Sequence, residues 1–225
     1  MSSAHHAATP LAIEVHFDFV CPWCLIGKRQ LDAAVRRFRT AMPGTPLEVS
    51  WASHQLLPAT PVEGIDYQDF YIKRLGSPDA VAVRRMQVRE AGRDAGVEFA
   101  FDRIRLLPNT ARAHDLVVRA TEHATHAQQA ALIERVFVAF FLEGQDIGRA
   151  DVLARLGREC GLPEAALEAP VADAAGQGAR RPYGNSGISG VPFFVFNRTY
   201  ALSGAASADA LLEAMLRAAQ GPQER

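Results

Sequence analysis

From Leu11 to Phe19 the chain alternates. Ile13, Val15, Phe17 and Phe19 are apolar, and Glu14, His16 and Asp18 between them are polar. A period of two predicts a strand with one buried face. Pro22 cannot continue a central strand, but it suits the first turn of a helix. Leu31, Val35 and Phe38 then recur at helical spacing up to the breaker MPGTP (42–46), after which Leu47, Val49 and Trp51 alternate again. The pattern predicts strand, helix, strand, with a connection long enough for a right-handed crossover between parallel strands.

Beyond Trp51 the texture changes. LLPATPVEG (56–64) reads as loop, and a long helical stretch follows. Ser77 and Pro78 form a helix start continued by Val81, Met86 and Val88, and PNT (108–110) offers a second start at Asn109 or Thr110. Leu132, Ile133, Val136, Phe137, Phe140 and Phe141 make the apolar face of a helix that Gly144 should end. DVLARLGRECG and PEAALEAPVADAA predict further helices. EFAFD (98–102) is the exception, because it alternates as a strand does. Near the end, two β-branched and aromatic runs flank Asn197-Arg198, which predicts a hairpin, and SADALLEAMLRAAQ predicts a closing helix. The order is that of a thioredoxin-like α/β domain, with residues 11–57 as its first half, 58–182 as an all-helical insertion and 183–219 as its second half.

With 225 residues, 48% of them hydrophobic, the chain is long enough for one large domain or a small domain with an insertion. The 24 basic and 25 acidic side chains leave a net charge of −1, which points away from nucleic acid or an anionic membrane as the main partner. The opening MSSAHHAATP has no basic segment leading into an apolar one, and no apolar run is long enough to cross a bilayer. The expectation is a cytoplasmic protein, where structural disulfides are rare and a close cysteine pair is catalytic or metal-binding.

Two of the three cysteines lie in that pair, Cys21-Pro22-Trp23-Cys24, at the predicted strand–helix boundary. They could be metal ligands, inert core residues or a redox dithiol. A zinc site needs about four ligands, and no second paired motif supplies them, so no metal site is expected. A cysteine at a helix start meets unpaired N–H groups and the positive end of the helix dipole, both of which favour its thiolate. Cys24 lies one turn further in, within bonding reach. The redox reading is therefore preferred, with Pro22 and Trp23 biasing the pair through geometry and solvation. Cys160, alone before Gly161, reads as a buried free thiol. Val191-Pro192, at the start of FFVF, would be trans by the ordinary preference of X–Pro bonds.

FDFVCPWCLIGK, PNTARAHDL, FLEGQDI and GISGVPFFVFNRTYALSGA occur in the order seen in DsbA-family thiol–disulfide oxidoreductases. The chain resembles that family from about Leu11 to Ala219, and its FrnE-like branch in particular. That branch is related to 2-hydroxychromene-2-carboxylate isomerases and kappa-class glutathione transferases. The resemblance implies a thioredoxin fold with a helical insertion, Cys21 as nucleophile and Cys24 as resolving thiol. It also implies a cis Val191-Pro192 bond beside the pair, with the Val191 backbone available to an extended substrate or to glutathione. Asn109 falls in a motif near the active site of the isomerase relatives, although a plain helix cap explains it equally well. Ser203 to Ser207 could offer N–H groups to a glutathione carboxylate, or could be only a turn and cap. The activity implied is thiol–disulfide exchange, including disulfide isomerisation, on a protein or small-molecule disulfide or dithiol. No bound cofactor is expected, and glutathione is a candidate co-substrate. The alternative is a glutathione-dependent isomerase or transferase acting on a small aromatic or polyketide-like compound. Such relatives generally carry serine at the position of Cys21, which weighs against that alternative here.

Overall fold

The computed structural model describes residues 10–168 and 188–220. β1 (Leu11–Phe17) lies inside a four-stranded sheet ordered β2-β1-β5-β6, with β2 at Leu47–Ser53, β5 at Phe193–Phe196 and β6 at Tyr200–Ser203. β2 runs parallel to β1 with Leu11 opposite Leu47 and Phe17 opposite Ser53, while β5 and β6 are antiparallel to their neighbours. The parallel pair is joined through α1 (Pro22–Ala41). The β5–β6 hairpin turns at Asn197 and Arg198, at φ 46° and 57°. Asn tolerates that left-handed region, and its Oδ1 accepts a 2.7 Å bond from the Ala12 N–H. α8 (Ala208–Ala219) closes the fold with Ser207 as its cap. Chain order and pairing make this a thioredoxin-like α/β fold with a helical insertion.

Leu11, Ile13 and Val15 of β1 bury one face of the sheet under Leu31 and Phe38 of α1 and Leu211 and Met215 of α8. Phe17, Phe19 and the first turns of α1 belong instead to a second core. That core is completed by the long middle segment: α2 (Tyr67–Leu75), α3 (Pro78–Asp94), α4 (Ala111–His123), α5 (His126–Phe141), α6 (Ala150–Glu159) and α7 (Glu164–Leu167). Phe137, Phe140 and Phe141 of α5 are fully buried at its centre. β1 and α1 thus contribute to both cores, and the strand–helix junction lies in the second one.

Three expectations are corrected. β1 ends at Phe17, because the chain turns at Phe19 and Val20 and the Asp18 carbonyl accepts the Cys21 N–H at 3.1 Å. The inserted block is not purely helical: β3 (Ile65–Asp66) and β4 (Leu106–Leu107) pair as a short antiparallel ribbon. Each strand is only two residues long, too short to give a period. EFAFD forms no strand. It leads into a 3-10 turn at Phe101–Arg103 because Phe99 and Phe101 stack on each other at 5.0 Å and both meet Phe141. The expected boundary at 182/183 and the later part of PEAALEAPVADAA lie outside the described residues. No described helix is long and apolar enough to cross a membrane.

Candidate active site

Cys21 is the N-cap of α1, in extended conformation, and Pro22 is the first helical residue. Its side chain caps nothing, and no acidic residue stands in the first turn to oppose a negative sulfur there. The Cys24 N–H bonds the Cys21 carbonyl at 3.0 Å, which sets the two side chains on one turn. Both cysteines are free thiols, and both are buried. What separates them is their surroundings. Cys21 lines an open cavity of about 730 Å³, whereas Cys24 does not and is only 2% exposed. Burial pushes the Cys24 thiol up, reinforced by the neighbouring Cys21 sulfur, so Cys24 is held as a neutral thiol.

The Val191–Pro192 bond is cis, and this loop meets the first turns of α1. The Cys21 thiol lies 3.4 Å from the Val191 carbonyl oxygen. The fit requires Gly27: a Cβ there would lie 2.9 Å from Pro192 Cγ and 3.1 Å from Phe194 Cζ. The Pro192 carbonyl accepts the Gly204 N–H at 2.8 Å, holding the loop to the end of β6. Ser207 accepts from the Ala210 N–H and serves as a helix cap.

The Asn109 amide is engaged by backbone groups. Its Nδ2 donates to the Thr60 carbonyl at 2.6 Å, and its Oδ1 accepts the Ala111 N–H at 2.9 Å. It ties the loop after β2 to the start of α4 and does not line the cavity. Cys160 is only partly buried, not enclosed as expected, because it ends α6 at the surface of the second core. It too stands away from the cavity. No group of three or more His, Cys, Asp or Glu among the described residues is arranged to hold a metal ion.

A model of the DSBA-like thioredoxin domain matches residues 12–216. The chain belongs to that family. It is 28% identical over 208 residues to YwbO, an uncharacterized protein of Bacillus subtilis, covering 90% of this chain and 94% of that protein. Among solved structures it is similar to a probable DsbA oxidoreductase from Streptomyces coelicolor. That match has TM-score 0.77 and 23% identity, and it covers 96% of this chain and 92% of the other. It is also similar to the cytosolic disulfide reductase DsbM from Pseudomonas aeruginosa with GSH, at TM-score 0.59 and 22% identity, covering 92% and 99%. At these identities the structures speak to the fold.

Two groups of site residues escape the sequence pattern. The first lies under the cysteine pair. Asp18, fully buried, accepts the Leu56 N–H at 2.7 Å through Oδ2 and meets His114 Nε2 at 3.1 Å through Oδ1. An ionised carboxylate only accepts, so in that state Nε2 carries the histidine proton. His114 is walled by the rings of Phe17 and Phe19, each with its centroid 5.1 Å away. Nearby, His54 has its pKa lowered by burial, an effect that Asp18 opposes. The second group is the cavity wall from α2 and α3, including Tyr67, Tyr71, Arg74 and Arg84. Burial pushes the Tyr71 hydroxyl up to about 12, with the nearby Cys21 adding to the rise. Asp18 and His114 do stand inside the stretches DFVCPWC and PNTARAHDL, but nothing local pairs residues 96 positions apart.

Proposed function

We propose that this protein is a thiol–disulfide oxidoreductase using Cys21 and Cys24. The Cys21 thiolate attacks one sulfur of a substrate disulfide. A Cys21–substrate disulfide forms, and the other substrate sulfur leaves as a thiolate. Cys24 then loses its proton and attacks the Cys21 sulfur. The second substrate thiolate leaves, and a Cys21–Cys24 disulfide remains, so two electrons have passed to the substrate. The reverse sequence oxidises a dithiol, and glutathione is a candidate thiol for returning the protein to its reduced form.

One observation carries this reading: of two adjacent thiols on the first turn of a helix, one opens to a cavity and the other is sealed and held neutral. That asymmetry suits an attacking and a resolving sulfur. In the reduced state the Val191 carbonyl faces the Cys21 thiol. Ionisation of Cys21 removes the donor and leaves this carbonyl free for an N–H from the substrate, a short backbone contact beside the reacting sulfur. Pro22 and Trp23 fix the turn and line the same cavity. The expected setting is the cytoplasm, where a close cysteine pair is more often catalytic than structural.

Trapping tests the assignment. Cys24→Ser should accumulate a mixed disulfide at residue 21, and Cys21→Ser should accumulate none. Equal trapping by the two variants would overturn the roles. Turnover of a small aromatic compound with glutathione by the doubly substituted protein would instead support the isomerase alternative.

A further inference from the structure

The cavity in front of Cys21 is apolar in its body and cationic at its mouth. Val20, Leu57, Phe70 and Val88 contribute to its wall, and Leu56 and Val83 remain 41% and 50% exposed. Among the described residues, the only charged side chains in the lining are Arg74 and Arg84. Neither forms an ion pair among those residues, although most of the other arginines in the middle segment do. Each guanidinium is parked instead over an aromatic ring of the same cavity. Arg84 stands 5.7 Å from the Trp23 centroid and Arg74 5.9 Å from that of Phe70. Trp23 lies between the two cysteines in sequence, so one cation stacks on a side chain of the CPWC segment itself. No carboxylate among the described residues lines the cavity to neutralise either charge.

Resting on the proposed disulfide exchange, we infer that the preferred substrate is a low-molecular-weight disulfide whose transferred half is aromatic or otherwise bulky and apolar and carries an anionic group. The volume of about 730 Å³ falls within the range of roughly 300–1,000 Å³ over which pockets enclose whole small molecules. The apolar wall removes the body of that half from water. Two guanidiniums at the rim, neither held by a carboxylate, accept its carboxylate or sulfonate, and their planar donors suit such groups. The sulfur bonded to this half then faces Cys21. Attack transfers the half to Cys21 and expels the other thiolate, and Cys24 releases the bound half as a second thiolate, with the Cys21–Cys24 bond formed as the dithiol gives up two electrons. An arginine already stacked on a ring also keeps its face covered while its edge turns to the anion.

The test uses the full-length reduced protein in single turnover with three disulfides: the dianionic aromatic 5,5′-dithiobis(2-nitrobenzoate), the neutral aromatic 2,2′-dithiodipyridine, and insulin as a protein disulfide. Each is compared between the wild type and an Arg74→Gln/Arg84→Gln variant. Removing both rim charges should lower the ratio of the dianionic to the neutral rate by about tenfold. Arg74→Lys/Arg84→Lys, which keeps the charge, should restore most of it. A ratio that does not change, or insulin reacting fastest and independently of both arginines, overturns the inference. A second readout needs no redox chemistry. The fluorescent apolar anion 8-anilinonaphthalene-1-sulfonate should bind the wild type and lose about tenfold affinity in the Gln variant, whereas neutral N-phenyl-1-naphthylamine should not discriminate between them. If no disulfide reacts with the wild type, the exchange reading fails. The dye then decides the cavity by itself: weaker binding in the Gln variant supports the anion site, and equal binding refutes it.

Discussion

Replacing Asp18 by Asn exchanges one oxygen of a fully buried carboxylate for an NH2 group while keeping its shape. The carboxylate has two partners on opposite oxygens, the Leu56 N–H at 2.7 Å and His114 Nε2 at 3.1 Å. If the new NH2 faces Leu56, two donors confront each other. If it faces His114, Nε2 must become an acceptor, and the ring proton moves to Nδ1, which has no hydrogen-bond partner among the described residues. Either orientation leaves one buried donor unsatisfied, at about 1–3 kcal/mol, and weakens a second, charge-assisted bond. Relief of the desolvation of a buried charge offsets part of this. The net loss should be about 2 kcal/mol, read from the midpoint shift in urea unfolding of the reduced protein. Because the bond is shared, His114→Leu should destabilise by less in an Asp18→Asn background than in the wild type, with a coupling of about 1 kcal/mol. Hydrogen exchange at the Leu56 amide should quicken, since that N–H loses its acceptor in one orientation and keeps only a neutral one in the other. A loss below about 0.5 kcal/mol, or strict additivity of the two substitutions, would refute the view that this pair clamps the loop after β2 beneath the cysteines.

Three further outcomes follow from the same geometry. Gly27→Ala ordinarily gains about 1 kcal/mol inside a helix, but here the Cβ meets the rigid Pro192 ring at 2.9 Å. Net destabilisation of about 1 kcal/mol in urea is expected, and a stabilised variant would mean that α1 does not press on that loop. Asn109→Ala removes the bonds to the Thr60 carbonyl and the Ala111 N–H and should cost about 1–2 kcal/mol of stability while leaving single-turnover disulfide exchange intact. A stable variant with slowed exchange would return Asn109 to the reaction. Tyr71 carries a pKa raised by burial from 10.0 to about 12, so the unfolded chain releases its proton first as pH rises. Stability should therefore fall from about pH 10 to about pH 12, and less steeply in Tyr71→Phe, as followed by circular dichroism; an unchanged slope would show the hydroxyl to be freely solvated.

The sheet and α1 were legible because their information is local. Alternation in Leu11–Phe17 and Leu47–Ser53, Pro22 at a helix start and the Asn197-Arg198 turn each act through the backbone of a few neighbouring residues. The Cys21–Cys24 pair was visible for the same reason. What escaped is long-range. The β3–β4 ribbon joins residues about forty positions apart, with two residues on each side, and no periodicity survives at that length. Phe99 and Phe101 alternate as strand residues do, yet they share one ring stack, and a 3-10 turn begins at Phe101. Asp18 looked like the outward side of a strand, and only the fold brings α4 over it to bury the carboxylate against His114. The cationic mouth of the cavity was equally hidden. Arginines are abundant and spread throughout this chain, and only packing leaves Arg74 and Arg84 without carboxylates beside Cys21.

The central claim is that Cys21 and Cys24 form a reversible dithiol–disulfide couple. It is tested most directly by equilibrating the protein in redox buffers of graded potential, quenching with an alkylating reagent and mapping the cysteines by mass spectrometry. The prediction is one two-electron transition in which Cys21 and Cys24 lose their labels together and appear as a single bridge, while Cys160 stays alkylated throughout. A pair that remains labelled across the whole range, or a bridge that forms to Cys160 in its place, would contradict it.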